Sequence, residues 1–151
     1  MRILVADDNP VFQSVLQAML TNWGYEVVVA SDGEQAWSTL QSDECPRLAV
    51  LDWRMPGLTG IEVCRLLRAR HRSPYTYVLI LTAKTSGEDL AAALEAGADD
   101  FVTKPFKSAE FRARLRAGRR ILDLEDKLLL AQQIPSAPFS VCDAPAVRPP
   151  C

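Results

Sequence analysis

The sequence contains one histidine, His71, and none of its four cysteines, Cys45, Cys64, Cys142 and Cys151, stands in a C-x-x-C pair. Zinc centres and dithiol redox motifs need such clustering, so neither is expected. No apolar run approaches the ~20 residues that cross a bilayer, and Met1-Arg2-Ile3-Leu4 runs straight into a charged Asp pair. Neither a membrane span nor a signal peptide is therefore expected, and the cytoplasm is the expected location. Charge of one sign is not in excess either: 17 basic and 19 acidic residues leave a net charge of −2, which predicts no general attraction to nucleic acid or an anionic membrane. With 48% apolar and 24% charged residues over 151 positions, the chain has the composition and length of about one globular domain with a full core.

What the sequence does have is a series of short apolar runs, each stopping at polar residues. Ile3 to Ala6 reads as a strand ending at Asp7-Asp8-Asn9-Pro10. Asn9 can cap and Pro10 can open a helix whose apolar positions are Val11, Val15, Leu16, Met19 and Leu20, with Asn22 and Gly24 closing it. Tyr25 to Ala30 is β-branched and predicts a second strand, and Ser31-Asp32-Gly33 introduces a short helix carrying Ala36, Trp37 and Leu40. Pro46 opens a strand that ends at Asp52, and Pro56-Gly57 forces a turn before a helix marked by Ile61, Val63, Cys64, Leu66 and Leu67, where Cys64 is expected in the core. Tyr77 to Leu81 is a fourth strand, ending in Thr82-Ala83-Lys84. An Ala-rich helix from about Gly87 to Ala96 stops at Gly97, and Phe101-Val102-Thr103 is a short fifth strand that runs into Lys104-Pro105.

Strands alternating with helices across connections long enough for right-handed crossovers predict an α/β fold with a parallel sheet covered on both faces. For five strands the doubly wound, flavodoxin-like order 2-1-3-4-5 is the natural arrangement, with five helices of which the last is extended. Its crevice opens between the carboxyl ends of strands 1 and 3. Asp7 and Asp8 end the first of these and Asp52 the second.

Three carboxylates at one sheet edge repel one another and call for a cation. Mg²⁺ suits them, since it prefers hard oxygen ligands and is commonly held by one or two carboxylates plus a phosphate oxygen. Asp8 and Asp52 are the expected direct ligands, Asp7 acts through water, and the backbone carbonyl of Arg54 can add another oxygen. Asp52, ionised at neutral pH, can attack phosphorus to form an aspartyl phosphate. Thr82 then offers a hydroxyl donor and Lys104 an ammonium to the phosphoryl oxygens. Taken singly, each has a plainer reading as a turn, cap or strand-end residue. Their convergence on the carboxyl ends of the strands of one predicted sheet is what gives them weight.

These residues resemble the receiver domain of a bacterial two-component response regulator. The matching stretches are Ile3-Leu4-Val5-Ala6-Asp7-Asp8-Asn9, Leu51-Asp52-Trp53-Arg54-Met55-Pro56-Gly57, Leu81-Thr82-Ala83, and Ala96-Gly97-Ala98-Asp99-Asp100-Phe101-Val102-Thr103-Lys104-Pro105-Phe106. The resemblance covers residues 1 to about 120. It implies Asp52 as phosphoacceptor, Asp7 and Asp8 as the acidic pair, Thr82, the Ala83 backbone and Lys104 as phosphoryl partners, and Phe101 with Thr82 as the switch. The implied phosphodonor is a sensor histidine kinase or phosphotransfer protein, and the implied response is a change in the surface of the fourth helix, fifth strand and fifth helix. Arg54 and Lys84, two positions beyond Asp52 and Thr82, are expected to tune the phosphoryl lifetime. A competing class, the Mg²⁺-dependent phosphohydrolases of the haloacid dehalogenase type, carries a second acid two residues after its nucleophile, and here that position is Arg54. A metal-independent docking module is disfavoured by the intact acidic pair.

The receiver-like part is expected over residues 1–122, a helical extension or linker over 123–133, and a disordered tail over 134–151, where five of the seventeen residues from Pro135 onward are proline. After residue 122 too few residues remain for a winged helix or cyclase domain, so the output partner is not evident. From Glu110 to about Gln133 one long helix is predicted. Its Arg run, Arg112 to Arg120, reads as a solvated face rather than a nucleic-acid patch. Ile121, Leu124, Leu128 and Ala131, widened by Leu122 and Leu129, read as a coiled-coil seam under two heptads long, so the expectation is either a homodimer through this helix and the neighbouring surface or packing of the helix back on its own domain. Cys142 and Cys151 are either incidental reduced thiols or a tethering or oxidation-prone pair.

Overall fold

The computed structural model describes residues 1–70, 74–83 and 87–133; His71, Lys84, Cys142 and Cys151 lie outside them. In chain order the elements are β1 (Arg2–Ala6), α1 (Pro10–Asn22), β2 (Glu26–Ala30), α2 (Gly33–Gln41), β3 (Leu48–Asp52), α3 (Gly60–Ala69), β4 (Tyr77–Thr82), α4 (Gly87–Glu95), β5 (Asp100–Thr103) and α5 (Ser108–Gln133). The strands form one parallel sheet in the order β2-β1-β3-β4-β5, the doubly wound arrangement expected. β3 and β4 are buried along their whole length, which is why they carry unbroken apolar runs rather than an alternating pattern.

Successive strand residues face opposite sides of the sheet, and the core divides accordingly. Leu4, Ala6, Ala49, Leu51, Val78 and Ile80 pack under α2, α3 and α4. Ile3, Val5, Leu48, Val50, Leu79 and Leu81 pack under α1 and α5. Cys64 is fully buried in the first layer, where burial pushes its thiol up to about 11, so it is a core residue as expected. Arg68 of α3 links that layer to both neighbouring segments. Its guanidinium donates to the Gly97 and Thr76 carbonyls at 2.9 and 2.8 Å and pairs with Asp99 at 2.8 Å.

The inward face of α1 differs from the expected one. Leu16 and Leu20 are fully buried and Met19 packs inward as expected, but Val11 and Val15 are 73% and 49% exposed, and Phe12 turns inward in their place. The physical reason is an aromatic stack on α5 and the loop before it. Phe12 meets Phe106 edge-on at 6.0 Å, Phe106 lies 4.9 Å from Phe111, and Trp23 closes on Phe111 at 6.0 Å.

α5 also departs from expectation at one position. Leu122 does not widen an outer apolar face; it is fully buried against the sheet layer that holds Leu48 and Tyr77. One turn further on, Glu125 and Asp126 reach Arg47, which immediately precedes β3, at 2.6 and 2.8 Å. Glu125 also accepts from the Tyr75 backbone N–H at 3.0 Å, and Arg47 donates to the Tyr75 carbonyl at 2.9 Å. The helix is thus moored to the amino-terminal edge of the sheet. Arg47→Ala is expected to lower stability by about 1 kcal/mol, as befits a partly buried network rather than an isolated surface pair. Amide exchange followed by mass spectrometry should accelerate over residues 123–133; unchanged exchange there would mean that Leu122 alone holds the helix.

Candidate functional site

Sheet register brings the acidic residues together. Ala6 pairs with Leu51, so Asp7 and Asp52 come next on adjacent strands, and Asp52 in turn pairs with Leu81. Thr82 pairs with Thr103, which places Lys104 one residue beyond the end of β5. Carboxylate oxygens of Asp7, Asp8 and Asp52 all lie within 4.8 Å of one another. Asp7 is buried, Asp52 nearly so, and Asp8 exposed, so the cluster opens outward through Asp8.

Lys104 reaches back into this cluster. Its Nζ stands 3.2 Å from Asp7 Oδ2 and 3.2 Å from Asp52 Oδ1, and lies over the Phe12 ring at 4.4 Å from its centroid. Its backbone N–H donates to the Thr82 carbonyl at 2.7 Å, fixing where the side chain starts. Among the described residues, then, one ammonium meets two of the three acids. Burial and the neighbouring Asp7 raise the Asp52 carboxyl above its ordinary value, and Lys104 only partly offsets them.

Local structure holds each group in place. Asn9 caps α1, its side chain accepting from the Val11 and Phe12 backbone N–H groups at 2.9 and 3.2 Å, and its own N–H donates to Asp7 Oδ1 at 2.9 Å. The segment after Asp52 is pinned at both ends. The Trp53 N–H donates to the Leu81 carbonyl at 2.9 Å, and the Trp53 carbonyl accepts from the Gly60 N–H at 3.0 Å. Gly57 turns this loop with a φ of +76°, and Thr59 with Glu62 forms a capping box that starts α3.

Of the residues expected from sequence, the structure gathers Asp7, Asp8 and Asp52 into one cluster, brings Lys104 against Asp7 and Asp52, and sets Thr82, fully buried, at the same edge. Ala83 follows Thr82 and is exposed, as is Arg54 in the loop after Asp52. Phe101 is half-buried on β5, paired with Ile80 and packed against the α2-α3-α4 layer together with Trp53. Lys84 is outside the described residues.

Two contributors were not expected from sequence. Phe12 supplies the ring beside the Lys104 ammonium; its place one residue after the apolar Val11 had hidden which of the two faces inward. Gly60 is the other. A Cβ there would stand 2.4 Å from the Asp52 carbonyl oxygen, so the backbone of the acidic residue and the first turn of α3 touch only because the side chain is missing. The glycine itself was visible in the sequence, but nothing local marks it as a close approach.

The family model for the response regulator receiver domain matches residues 3–116, and the chain belongs to that family. Among curated relatives, the DNA-binding response regulator MtrA of Mycolicibacterium smegmatis is 44% identical over 119 residues, covering 79% of this chain and 50% of the relative. The alkaline phosphatase synthesis transcriptional regulatory protein PhoP of Bacillus subtilis is 44% identical over 116 residues, covering 77% and 47%. The chain thus spans about half the length of the curated relatives it matches. Among solved structures, the receiver domain of the sensor histidine kinase PA1611 from Pseudomonas aeruginosa has a magnesium ion coordinated in its active-site cleft. It superposes with a TM-score of 0.68 at 35% identity, covering 81% of this chain and 97% of that one.

Proposed function

We propose that this chain is a phosphorylation-activated signalling switch, with Asp52 as the residue that accepts the phosphoryl group. The observation that carries this reading is the acidic cluster of Asp7, Asp8 and Asp52 with the Lys104 ammonium drawn into it. The phosphodonor is a sensor histidine kinase or a phosphotransfer protein, the cofactor Mg²⁺ and the location the cytoplasm. Among the described residues no helix is long and apolar enough to cross a membrane, in keeping with that location.

The donor set fits Mg²⁺: three hard carboxylate oxygens gathered within 4.8 Å of one another. Asp8 and Asp52 would hold the ion, with Asp7 and the Arg54 carbonyl in support, and bound Mg²⁺ supplies positive charge to the carboxylates and the incoming phosphoryl oxygens. An Asp52 carboxylate oxygen attacks phosphorus, forming the new O–P bond as the bond to the donor breaks and the leaving group departs with its electron pair. Lys104 is free to exchange its carboxylate partners for phosphoryl oxygens, and the Thr82 hydroxyl and Ala83 N–H donate to them. No acid stands two residues after Asp52 to protonate the leaving group of a phosphoester, which sets this site apart from the phosphohydrolases.

Intact mass spectrometry after incubation with acetyl phosphate tests the reading. One phosphoryl group should be gained with Mg²⁺ and none in EDTA; uptake in EDTA would refute it. Decay of the same mass peak gives the lifetime, which exposed Arg54 is proposed to lengthen by shielding the mouth, so Arg54→Ala should shorten it; an equal decay rate would make Arg54 an ordinary surface residue.

Phe101 is the proposed relay. Movement of Thr82 toward the phosphoryl group opens space beside β5, and the half-buried Phe101 ring turns inward, reshaping the surface of α4, β5 and α5. Lacking a hydroxyl, the ring is biased by packing alone. Its ring-proton NMR signals should shift on phosphorylation, and unchanged signals would show that this coupling is absent.

A further inference from the structure

Phe12 stands in the first turn of α1, where its backbone N–H donates to the Asn9 cap at 3.2 Å, and its ring meets Phe106 edge-on with the centroids 6.0 Å apart. Phe106 lies two residues beyond Lys104, so one short stretch of chain touches the Phe12 ring twice, through the Lys104 ammonium and through the Phe106 ring. At a single position, then, the ammonium meets Asp7 Oδ2 and Asp52 Oδ1, each at 3.2 Å, and the Phe12 ring, whose centroid is 4.4 Å away. The Lys104 side chain is only 25% exposed, so the attraction between cation and ring face acts with much of the water removed, where it is stronger than at an open surface. An aliphatic side chain in the same place would fill the space and offer no such face.

We infer that Phe12 is a positioning residue for Lys104, and that by holding the ammonium on Asp7 and Asp52 it sets the Mg²⁺ concentration at which the acidic cluster loads. This rests on the reading of the cluster as a Mg²⁺ site. An ammonium and a divalent cation draw on the same carboxylates and repel each other, so whatever stabilises the one between Asp7 and Asp52 weakens the hold on the other. The ring favours the ammonium in the place where both carboxylates reach it. A hydrocarbon ring is no ligand for a hard cation, so its influence on Mg²⁺ passes through Lys104. Phe106 and the Asn9 cap fix the ring independently of Lys104, which makes it a seat rather than a follower of the ammonium.

Calorimetric titration of the full chain with magnesium chloride alone, without a phosphodonor, tests this. Phe12→Leu keeps an apolar side chain and loses the ring face, and it should bind Mg²⁺ about threefold more tightly than the parent, the scale of one such contact. Phe12→Met is read in the same way if the leucine variant does not fold. Phe12→Tyr keeps the face and should bind as the parent does. In a Lys104→Met background the stem remains and the ammonium is gone, so Phe12→Leu should change the affinity no further.

A ring that acts by packing alone would shift both backgrounds equally. That result overturns the inference, as does unchanged or weaker binding by Phe12→Leu in the parent background, or failure of Phe12→Tyr to match the parent; each leaves the proposed phosphoacceptor and its metal standing. A parent that binds no Mg²⁺ overturns the inference and the metal reading together, so the two failures are distinguishable.

Discussion

The Asp52→Asn variant is expected to take up no phosphoryl group from acetyl phosphate and, in Mg²⁺-free buffer at pH 7, to melt at a higher temperature than the parent chain. Loss of uptake follows because an amide is not a nucleophile toward phosphorus under these conditions. The stability gain follows from the electrostatics. Burial, then Asp7, raise the Asp52 carboxyl above its ordinary value, and Lys104 opposes them without cancelling them. A carboxyl raised on folding binds more protons folded than unfolded. Stability therefore falls as pH rises from the ordinary carboxylate range through the raised value, and the full penalty is present above it. Asparagine removes that penalty, about 1 kcal/mol or about 3 °C for a domain of this size. The difference should shrink as the pH is lowered into the ordinary carboxylate range, because the raised Asp52 carboxyl regains its proton on the way, and should narrow when Mg²⁺ is added to the parent. A variant that melts below the parent at pH 7 would show that the Lys104 ion pair outweighs the burial of the charge.

Gly60→Ala should disturb the fold at Asp52 itself. Its Cβ would stand 2.4 Å from the Asp52 carbonyl oxygen and 3.1 Å from the carbonyl carbon, backbone atoms at the end of a fully buried strand. Neither can yield without shifting Asp52 itself or the first turn of α3. A loss of about 3 kcal/mol in urea unfolding is expected, together with slower phosphoryl uptake in the fraction that remains folded. Gly87→Ala is the control: a Cβ there meets nothing within 4 Å, and its stability should change by less than about 0.5 kcal/mol. Equal effects at the two positions would mean that the loss comes from chain flexibility rather than from the contact with Asp52.

Strand order and the meeting of Asp7, Asp8, Asp52 and Lys104 were legible because they depend on two simple signals, apolar runs that stop at polar residues and crossovers of one hand. Such signals say where a strand ends, and strand ends are where these residues sit. The face of α1 was not legible for the opposite reason. With apolar residues at 11, 12, 15, 16, 19 and 20, two overlapping stripes are available, and the choice belongs to Phe106 and Phe111 nearly a hundred positions later. Leu122 escaped in the same way. Its heptad neighbours read as an outer seam, and the roll of the helix that buries it is set by the packing of Phe111 and Leu115 and by the attachment of Glu125 and Asp126 to Arg47, 78 and 79 residues distant.

That attachment also determines how news of Asp52 can travel. Arg47 stands immediately before β3 and Asp52 closes it, so one strand of five residues, about 17 Å of fully extended and fully buried chain, has the proposed phosphoacceptor at its head and the anchorage of α5 at its foot. A strand packed on both sides behaves as a strut, and a helix fastened to its foot keeps the compass bearing of the strut whatever happens at the head. The long helix is therefore a fixed mast rather than a swinging arm: it holds a constant heading while the texture of the surfaces beside it is rewritten.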